Sequence, residues 1–173
     1  MIGIEELLGG PSPLVVEDTE PGDSWDVGPV FVKGTPAPQG SKRAFANPKN
    51  PSKPIVTESS KRLPGWRREI RRVVAPLMDG RELLDGPLEV RVTFVFQRPQ
   101  HHHVAGDRSR PLKPNAPVYH AQAPDLSKLL RGMEDDLNKL VWTDDSRIAR
   151  FVEPVKLWGA QPGMEIAIRR IRA

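Results

Sequence analysis

The stretch from residue 123 to residue 148, APDLSKLLRGMEDDLNKLVWTDDSRI, carries carboxylates at both ends of a helical pattern. Asp125 stands directly before this pattern, and the adjacent pair Asp144 and Asp145 follows it. Carboxylate oxygens suit Mg²⁺, which usually takes one or two of them together with waters and substrate phosphates. Unpaired charges are costly to bury, so these side chains are poor material for a core. The joint pattern therefore predicts a site for a divalent metal ion.

Each of these acidic residues also has an ordinary structural explanation when it is taken alone. Asp is a favoured N-cap residue, so Asp125 could accept hydrogen bonds from the first backbone N–H groups of a helix. Asp is also common in turns, which would explain Asp144 and Asp145. Only the combination of a Pro-Asp, a polar helix face and an Asp-Asp favours the metal site.

Two helices are predicted, because apolar side chains recur at helical spacing in two segments. In residues 126–138, one face carries Leu126, Leu129, Leu130, Met133 and Leu137, and the other carries Ser127, Arg131, Glu134, Asp135 and Asn138. In residues 63–80, the apolar face carries Trp66, Ile70, Val73, Val74 and Leu77, and the basic face carries Arg67, Arg68, Arg71 and Arg72. Each helix is expected to cover a core with its apolar face.

Strands are predicted at residues 29–34, 88–96, 147–159 and 163–171. The segment LEVRVTFVF alternates apolar and mostly polar residues, the pattern of a strand with one buried face. The order strand, helix, strand, helix, strand, strand favours an α+β fold, in which two main helices pack on a small mixed sheet. Residues 35–54 are predicted to form a long basic loop.

Residues 97–123 are predicted to form a second loop, which holds all four histidines of the chain. Three of them, His101 to His103, are adjacent, and adjacent side chains rarely converge on one metal ion. We therefore expect a solvated loop here and no metal site.

Composition narrows the classes of function. A chain of 173 residues suits one domain. It has no cysteine, which excludes disulfides and thiolate zinc sites and fits a reducing compartment. No apolar run is long enough to span a membrane, and the first residues lack the basic start of a signal peptide. We therefore expect a cytoplasmic protein without a membrane partner.

Charge is distributed unevenly along the chain. Residues 1–28 hold seven acidic side chains and no Lys or Arg, and they are predicted to form a flexible extension. The remainder holds all 26 Lys and Arg but only 15 of the 22 Asp and Glu. This excess favours a polyanion as partner, although a basic surface can also serve solubility alone. With a polyanion as partner, the acidic extension could compete for the basic surface.

With these motifs, the chain resembles the RusA-type Holliday-junction resolvases, endonucleases that are common in phages and prophages. The family pattern runs Pro-Asp-hydrophobic-Asp-Asn-Leu, then Lys, Asp-x-Leu, and an Asp-Asp before a strand. The chain matches it with PDLSKLLR, DDL and VWTDDSRI, and FVKGTPAPQGSKR looks like the family's opening strand and Pro-rich basic loop. The resemblance covers about residues 29–171. It implies an endonuclease domain at 29–173.

The resemblance also implies a reaction and a set of site residues. The family makes paired nicks across a four-way DNA junction as a homodimer, intertwined or isologous, with Mg²⁺ or alternatively Mn²⁺, in the nucleoid of a bacterial host. Catalytic residues are then Asp125, Asp145 and Arg131, and metal ligands are Asp125, Asp144, Asp145 and Asp135. DNA-binding candidates are Lys128, Lys156, Lys42, Arg43, Arg67, Arg68, Arg71 and Arg72.

Two positions depart from the family pattern. Ser127 stands where the family has a second catalytic Asp, and Arg131 where it has an essential Lys. A serine hydroxyl brings no negative charge, and Glu134 could restore that charge although it lies about 10 Å along the helix axis. The alternative function is therefore a protein that binds branched DNA with reduced or no cleavage. An RNA-binding module is disfavoured, because no aromatic-rich platform for single strands is present.

Overall fold

The computed structural model describes residues 24–40 and 62–171 in full, and residues 42–45 and 55–58 by their backbone. Two helices are present in these ranges, α1 (Leu63–Val74) and α2 (Leu126–Leu137). The strands are β1 (Val27–Lys33), β2 (Lys42–Phe45), β3 (Ile55–Glu58), β4 (Leu88–Gln97), β5 (Ile148–Gly159) and β6 (Gly163–Arg170).

Four of the strands form a mixed sheet in the order β1-β6-β4-β5. β6 runs antiparallel to both of its neighbours, whereas β4 and β5 run parallel to each other. Parallel strands need a crossover connection, and here the connection consists of the segment 98–125 and α2. The predicted α+β class, with two helices on a mixed sheet, is confirmed.

Both helices cover one face of this sheet. Alternate residues of β4 are buried in the layer beneath them, namely Leu88, Val90, Val92, Phe94 and Phe96. α1 contributes Leu63, Trp66, Ile70 and Val74, and α2 contributes Leu129, Met133 and Leu137. Because burial of one such side chain stabilises a fold by about 1.5–3 kcal/mol, this layer is the main core. The apolar faces predicted for both helices are confirmed, except at Leu77, which is exposed because the 3₁₀ turn Ala75–Met78 follows α1 and buries Met78 instead.

The opposite face of β4 is buried as well, which shows that the expectation of a strand with one buried face was wrong. Val95 packs with Leu157 of β5 in a second apolar cluster, against Phe31, Val118 and Val155. These residues come from β1, β5 and the segment 98–125. This face is therefore buried mainly by side chains of the sheet itself, together with Val118, which follows the edge of β5 through backbone hydrogen bonds.

The polar residues of β4 led to the prediction of an exposed face, but one of them is a buried carboxylate. Glu89 is 3% exposed, and it is ion-paired with Arg169 at 2.8 Å and with Arg150. The ring of Trp25 lies 4.8 Å from the guanidinium of Arg169 and 4.9 Å from that of Arg91. Paired in this way, a polar residue can occupy a buried position without an uncompensated charge.

Two further differences concern the first part of the chain. The predicted loop at 35–54 was wrong at residues 42–45, because these form β2, which pairs antiparallel with β3. Strands of four residues are too short to show a reliable alternation. β1 begins at Val27, and Asp26 before it binds the side chain of Arg170 at 2.7 Å. Residues 1–23 lie outside the described residues, so for them the flexible acidic extension stays a prediction, whereas Val27 and Gly28 at its predicted end belong to β1.

The segment 98–125 is anchored to β5 by polar and aromatic contacts. Arg98 donates to the carbonyls of Pro117 and Trp158 at 2.7 and 2.8 Å. His120 and His102 are buried against Trp158, with ring centroids 4.1 and 5.4 Å away. The predicted solvated loop was therefore wrong for His102, and the burial of His120 was not predicted. Within the described ranges, no helix has the length and apolar character needed to cross a membrane.

We expect this histidine cluster to make the fold less stable in acid. Burial lowers the pKa of both His102 and His120, and neighbouring cations, including Arg98 and Lys156, lower these pKa values further. A histidine with a depressed folded-state pKa contributes stability above its unfolded pKa, near 6.5, and that stability is lost as the pH falls below this value. The free energy of unfolding, measured in denaturant at pH 8 and pH 5, should fall with acid less steeply in His120→Phe than in the wild type. Tyr119→Phe, at an exposed position of the same segment, serves as control, and an equal acid loss in all three proteins would contradict the expectation.

Candidate active site

Asp125 lies at the N-cap position of α2, but its side chain does not cap the helix. Among the residues that the structure describes, Oδ2 contacts the Nζ of Lys128 at 2.7 Å, and no backbone N–H of the first turn donates to the carboxylate. The Lys128 ammonium holds the pKa of the Asp125 carboxyl below its usual range, and Lys156 acts in the same direction. Capping, the ordinary explanation for an Asp at this position, therefore does not apply.

Asp144 and Asp145 are held in different ways. Asp144 precedes the 3₁₀ turn Asp145–Arg147, and its Oδ1 accepts the backbone N–H of Ser146 at 3.0 Å. Hydrogen bonds from Ser146 hold the pKa of Asp144 below its usual range. Oδ1 of Asp145 accepts the indole N–H of the buried Trp142 at 2.8 Å. Asp144 thus stabilises a turn, while Asp145 is oriented by a residue of the core.

Glu134 is a further carboxylate near Asp145. It is half-buried on α2, and burial raises the pKa of its carboxyl. Repulsion from Asp145 and Asp135 raises that pKa further, whereas Arg131 opposes the rise. The helix therefore brings Glu134 close enough to Asp145 for their charges to interact.

Asp135 and Asp136 both face α1. The carboxylate of Asp135 accepts a hydrogen bond from the side chain of Gln39 and lies 3.9 Å from Arg67. Asp136 is 1% exposed, and its Oδ1 lies 2.5 Å from Nε of Arg67. Burial outweighs this ion pair and raises the pKa of Asp136 to about 6. The assignment of Asp135 as a metal ligand stays a prediction.

Asp136 was missed by the sequence analysis, although the sequence contains a signal for it. At 100° per residue it falls beside Leu129 at the edge of the apolar arc of α2, where a buried acidic side chain needs a partner. Arg67 of α1 is that partner. The pair joins the two helices, and it engages an arginine that had been predicted to bind DNA.

Some of the other basic residues are bound to groups of the protein, and others have no ion pair with a described residue. Lys156 donates from Nζ to the backbone carbonyls of Gln122 and Pro124. Arg72 pairs with Glu69 at 2.9 Å. Arg68, Arg71 and Arg131 are exposed, and none of the three forms an ion pair with another described residue. Lys42 and Arg43 lie in β2, in the part of the chain described by its backbone.

The candidate residues suit a metal ion in chemistry but do not form a closed cage. Within residues 24–40 and 62–171, no group of three or more His, Asp or Glu side chains could hold a metal ion. Oδ1 of Asp125, however, accepts no hydrogen bond from any described residue. Mg²⁺ needs only one or two carboxylates when waters and substrate phosphates complete its shell. The residues therefore fit an ion that is completed by substrate.

Exposed carboxylates beside exposed cations, on an α+β domain with a basic helix, favour a phosphate-rich polymer as the partner of this domain. The sequence profile of the family described as Endodeoxyribonuclease RusA matches residues 34–169, and the chain belongs to this family. These are Holliday junction resolvase-type nucleases and generally metal-dependent, so membership implies nuclease activity on a DNA junction. No curated protein matches the chain.

The ion pair between the helices leads to a prediction about Arg67. We expect Arg67→Gln to destabilise the fold by about 3 kcal/mol at pH 8, the lower end for a broken buried pair, because Arg67 is partly exposed. The loss should be smaller at pH 5, where Asp136, with a pKa of about 6, is mostly protonated. Denaturant unfolding at both pH values measures this.

Arg68→Gln is the matched control for this prediction, because Arg68 is the next residue of α1 and is exposed. It should change stability by less than about 0.5 kcal/mol, as surface substitutions usually do. Equal losses in the two variants, or a loss in Arg67→Gln that does not depend on pH, would show that the pair with Asp136 does not join the helices.

Proposed function

We propose that this protein resolves four-way DNA junctions by paired symmetric nicks, as a homodimer and with Mg²⁺ or Mn²⁺. The observation that carries the proposal is Asp125. It is an exposed carboxylate at the start of α2 that caps nothing among the described residues, and it matches the Pro-Asp of the family pattern. An exposed carboxylate that does not cap its helix, at the position where the family pattern has a catalytic residue, supports a role in the reaction.

In this proposal each residue of the site has one task. Asp125 and Asp145, with Asp144, would hold the metal, and Trp142 would keep Asp145 in place through its indole N–H. When bound, the ion supplies an activated water and stabilises the charge on the leaving oxygen. Arg131 would neutralise the negative charge that develops on the scissile phosphate. Lys128 would do the same once it releases Asp125.

The DNA backbone would be held by the exposed arginines of α1. Arg68, Arg71 and Arg72 project from its polar side. Lys42 and Arg43 of the β2–β3 hairpin are further candidates. Such contacts position a duplex and carry no sequence information. A two-fold homodimer would present two equal sites, which suits the two-fold symmetry of a four-way junction.

A second candidate function, junction binding with weak or no cleavage, is favoured by the charges around Asp125. Ser127 supplies no carboxylate, and Lys128 occupies one oxygen of Asp125 at 2.7 Å. Lys156 adds a further positive charge near the same carboxylate. A site with one anion and two cations attracts a phosphate more strongly than a divalent metal ion.

We expect Asp125→Asn and Asp145→Asn each to abolish cutting of a synthetic four-way junction. Binding should stay intact or become tighter, because the loss of a negative charge reduces repulsion of phosphate. Gel shifts and denaturing gels measure the two properties on the same samples. Asp79→Asn, at an exposed acidic residue of the turn after α1, should cut like the wild type. Robust cutting by either site variant would exclude that carboxylate from the reaction.

Ser127→Asp tests the second candidate function directly, because it restores the carboxylate of the family pattern. We expect it to raise the rate of junction cleavage roughly tenfold, the effect of about 1.4 kcal/mol in the barrier. Ser127→Ala, which changes the same position without adding charge, should bring no gain. A Ser127→Asp variant that cuts no faster than the wild type would show that the missing carboxylate does not limit the reaction.

A further inference from the structure

Lys156 lies on β5 and points its charged side chain to the face of the sheet that carries the main core. Its Cα is paired with Phe94 of the central strand. Residues two apart in a strand point to the same face, so Lys156 shares a face with Trp158, which belongs to the core beneath the helices. The side chain is half-buried. A lysine in such a place needs acceptors for its ammonium group.

The acceptors are two backbone carbonyls just before Asp125. Nζ of Lys156 donates to the carbonyl oxygen of Gln122 at 2.6 Å and to that of Pro124 at 2.7 Å. An ammonium group has three N–H donors, so two of them are committed to the protein. The carbonyl of Pro124 belongs to the peptide group that leads into Asp125. Lys156 therefore fixes the orientation of the peptide from which the Asp125 side chain departs.

Residues 118–120, which precede the two carbonyls, are also attached to β5. The backbone N–H of Trp158 donates to the carbonyl of Val118 at 2.8 Å, and that of His120 donates to the carbonyl of Lys156 at 2.9 Å. These bonds attach residues 118–120 to β5, and the ammonium of Lys156 continues the attachment to residues 122–124. α2 begins immediately afterwards, with Leu129 donating to the carbonyl of Asp125 at 3.2 Å.

We propose that Lys156 is a positioning residue, which holds Asp125 in place by binding the carbonyls of Gln122 and Pro124, and is not a contact to DNA phosphate. The inference rests on the proposed role of Asp125. Only the third donor remains for a phosphate, unless Lys156 releases one of its two charge-assisted hydrogen bonds. Lys128, which is exposed and bound to one side chain, is the better placed cation for DNA.

Salt dependence separates a positioning role from a phosphate contact. Each neutralised phosphate contributes about 0.9 to the slope of log K against log salt concentration on duplex DNA. Lys156→Gln should leave this slope unchanged in the full chain bound to a four-way junction. Arg68→Gln, at an exposed arginine without an ion pair to a described residue, should lower the slope by about 0.9 if it contacts a phosphate.

Hydrogen exchange reports the position of the segment without DNA or metal. In Lys156→Gln, amides in the peptide 119–129 should exchange faster than in the wild type, because the turn before Asp125 has lost its attachment. Lys156→Arg keeps a cation that can donate to both carbonyls, so exchange should return toward the wild-type rate. The thermal unfolding midpoint of each variant shows that the fold is retained.

Cleavage kinetics give the third readout. A misplacement of about 1 Å at a reacting group can cost on the order of 10²-fold in rate. Lys156→Gln should therefore lower kcat on a junction by about that factor with little change in KM, and Lys156→Arg should recover part of the loss. A lower salt slope in Lys156→Gln, or unchanged exchange in the peptide 119–129, overturns the positioning role. A wild type that does not cut overturns the nuclease proposal instead, and slope and exchange still decide the role of Lys156.

Discussion

The fold depends on the burial of β4 on both of its faces. One face is covered by the two helices, and the other is buried by side chains of β1 and β5, by Val118 of the segment 98–125 and by Trp25 over Arg91. The same requirement explains the ion pair between Glu89 and Arg169, because a carboxylate on a covered strand must have a partner. The packing on both faces of the sheet is therefore explained by the need to bury β4.

The position of the candidate site follows from the order of the strands in the sheet. β4 and β5 are parallel, so the chain must cross over between them, and the crossover both covers the sheet and delivers Asp125 to the start of α2. Apolar packing against the sheet sets the position of α2. The residues just before it are held by hydrogen bonds from Lys156 to the carbonyls of Gln122 and Pro124. The N-terminal end of α2 therefore places an exposed carboxylate at the edge of the core, where solvent can reach it.

The sequence predicted the elements whose side chains repeat over several turns or pleats, namely β4, α1 and α2. It also predicted Asp125, Asp144 and Asp145 as the ends of one motif. It did not reveal β2 and β3, because four residues carry too little pattern. The burial of His102, His120 and Asp136 was not predicted for a common reason: it depends on partners that are distant in the chain, Trp158 and Arg67. The tasks of Lys128 and Lys156 are likewise set by contacts, which spacing alone does not show.

The most direct test of the proposed nuclease is a cleavage assay on an immobile four-way junction labelled in turn on each strand. We predict nicks at symmetry-related positions in two opposite strands when Mg²⁺ is present, and none when EDTA removes the metal. A junction that is retarded on a native gel but stays intact across the whole range of Mg²⁺ concentrations would contradict the nuclease and leave a junction-binding protein. Nicks that persist in EDTA would contradict the role of the metal.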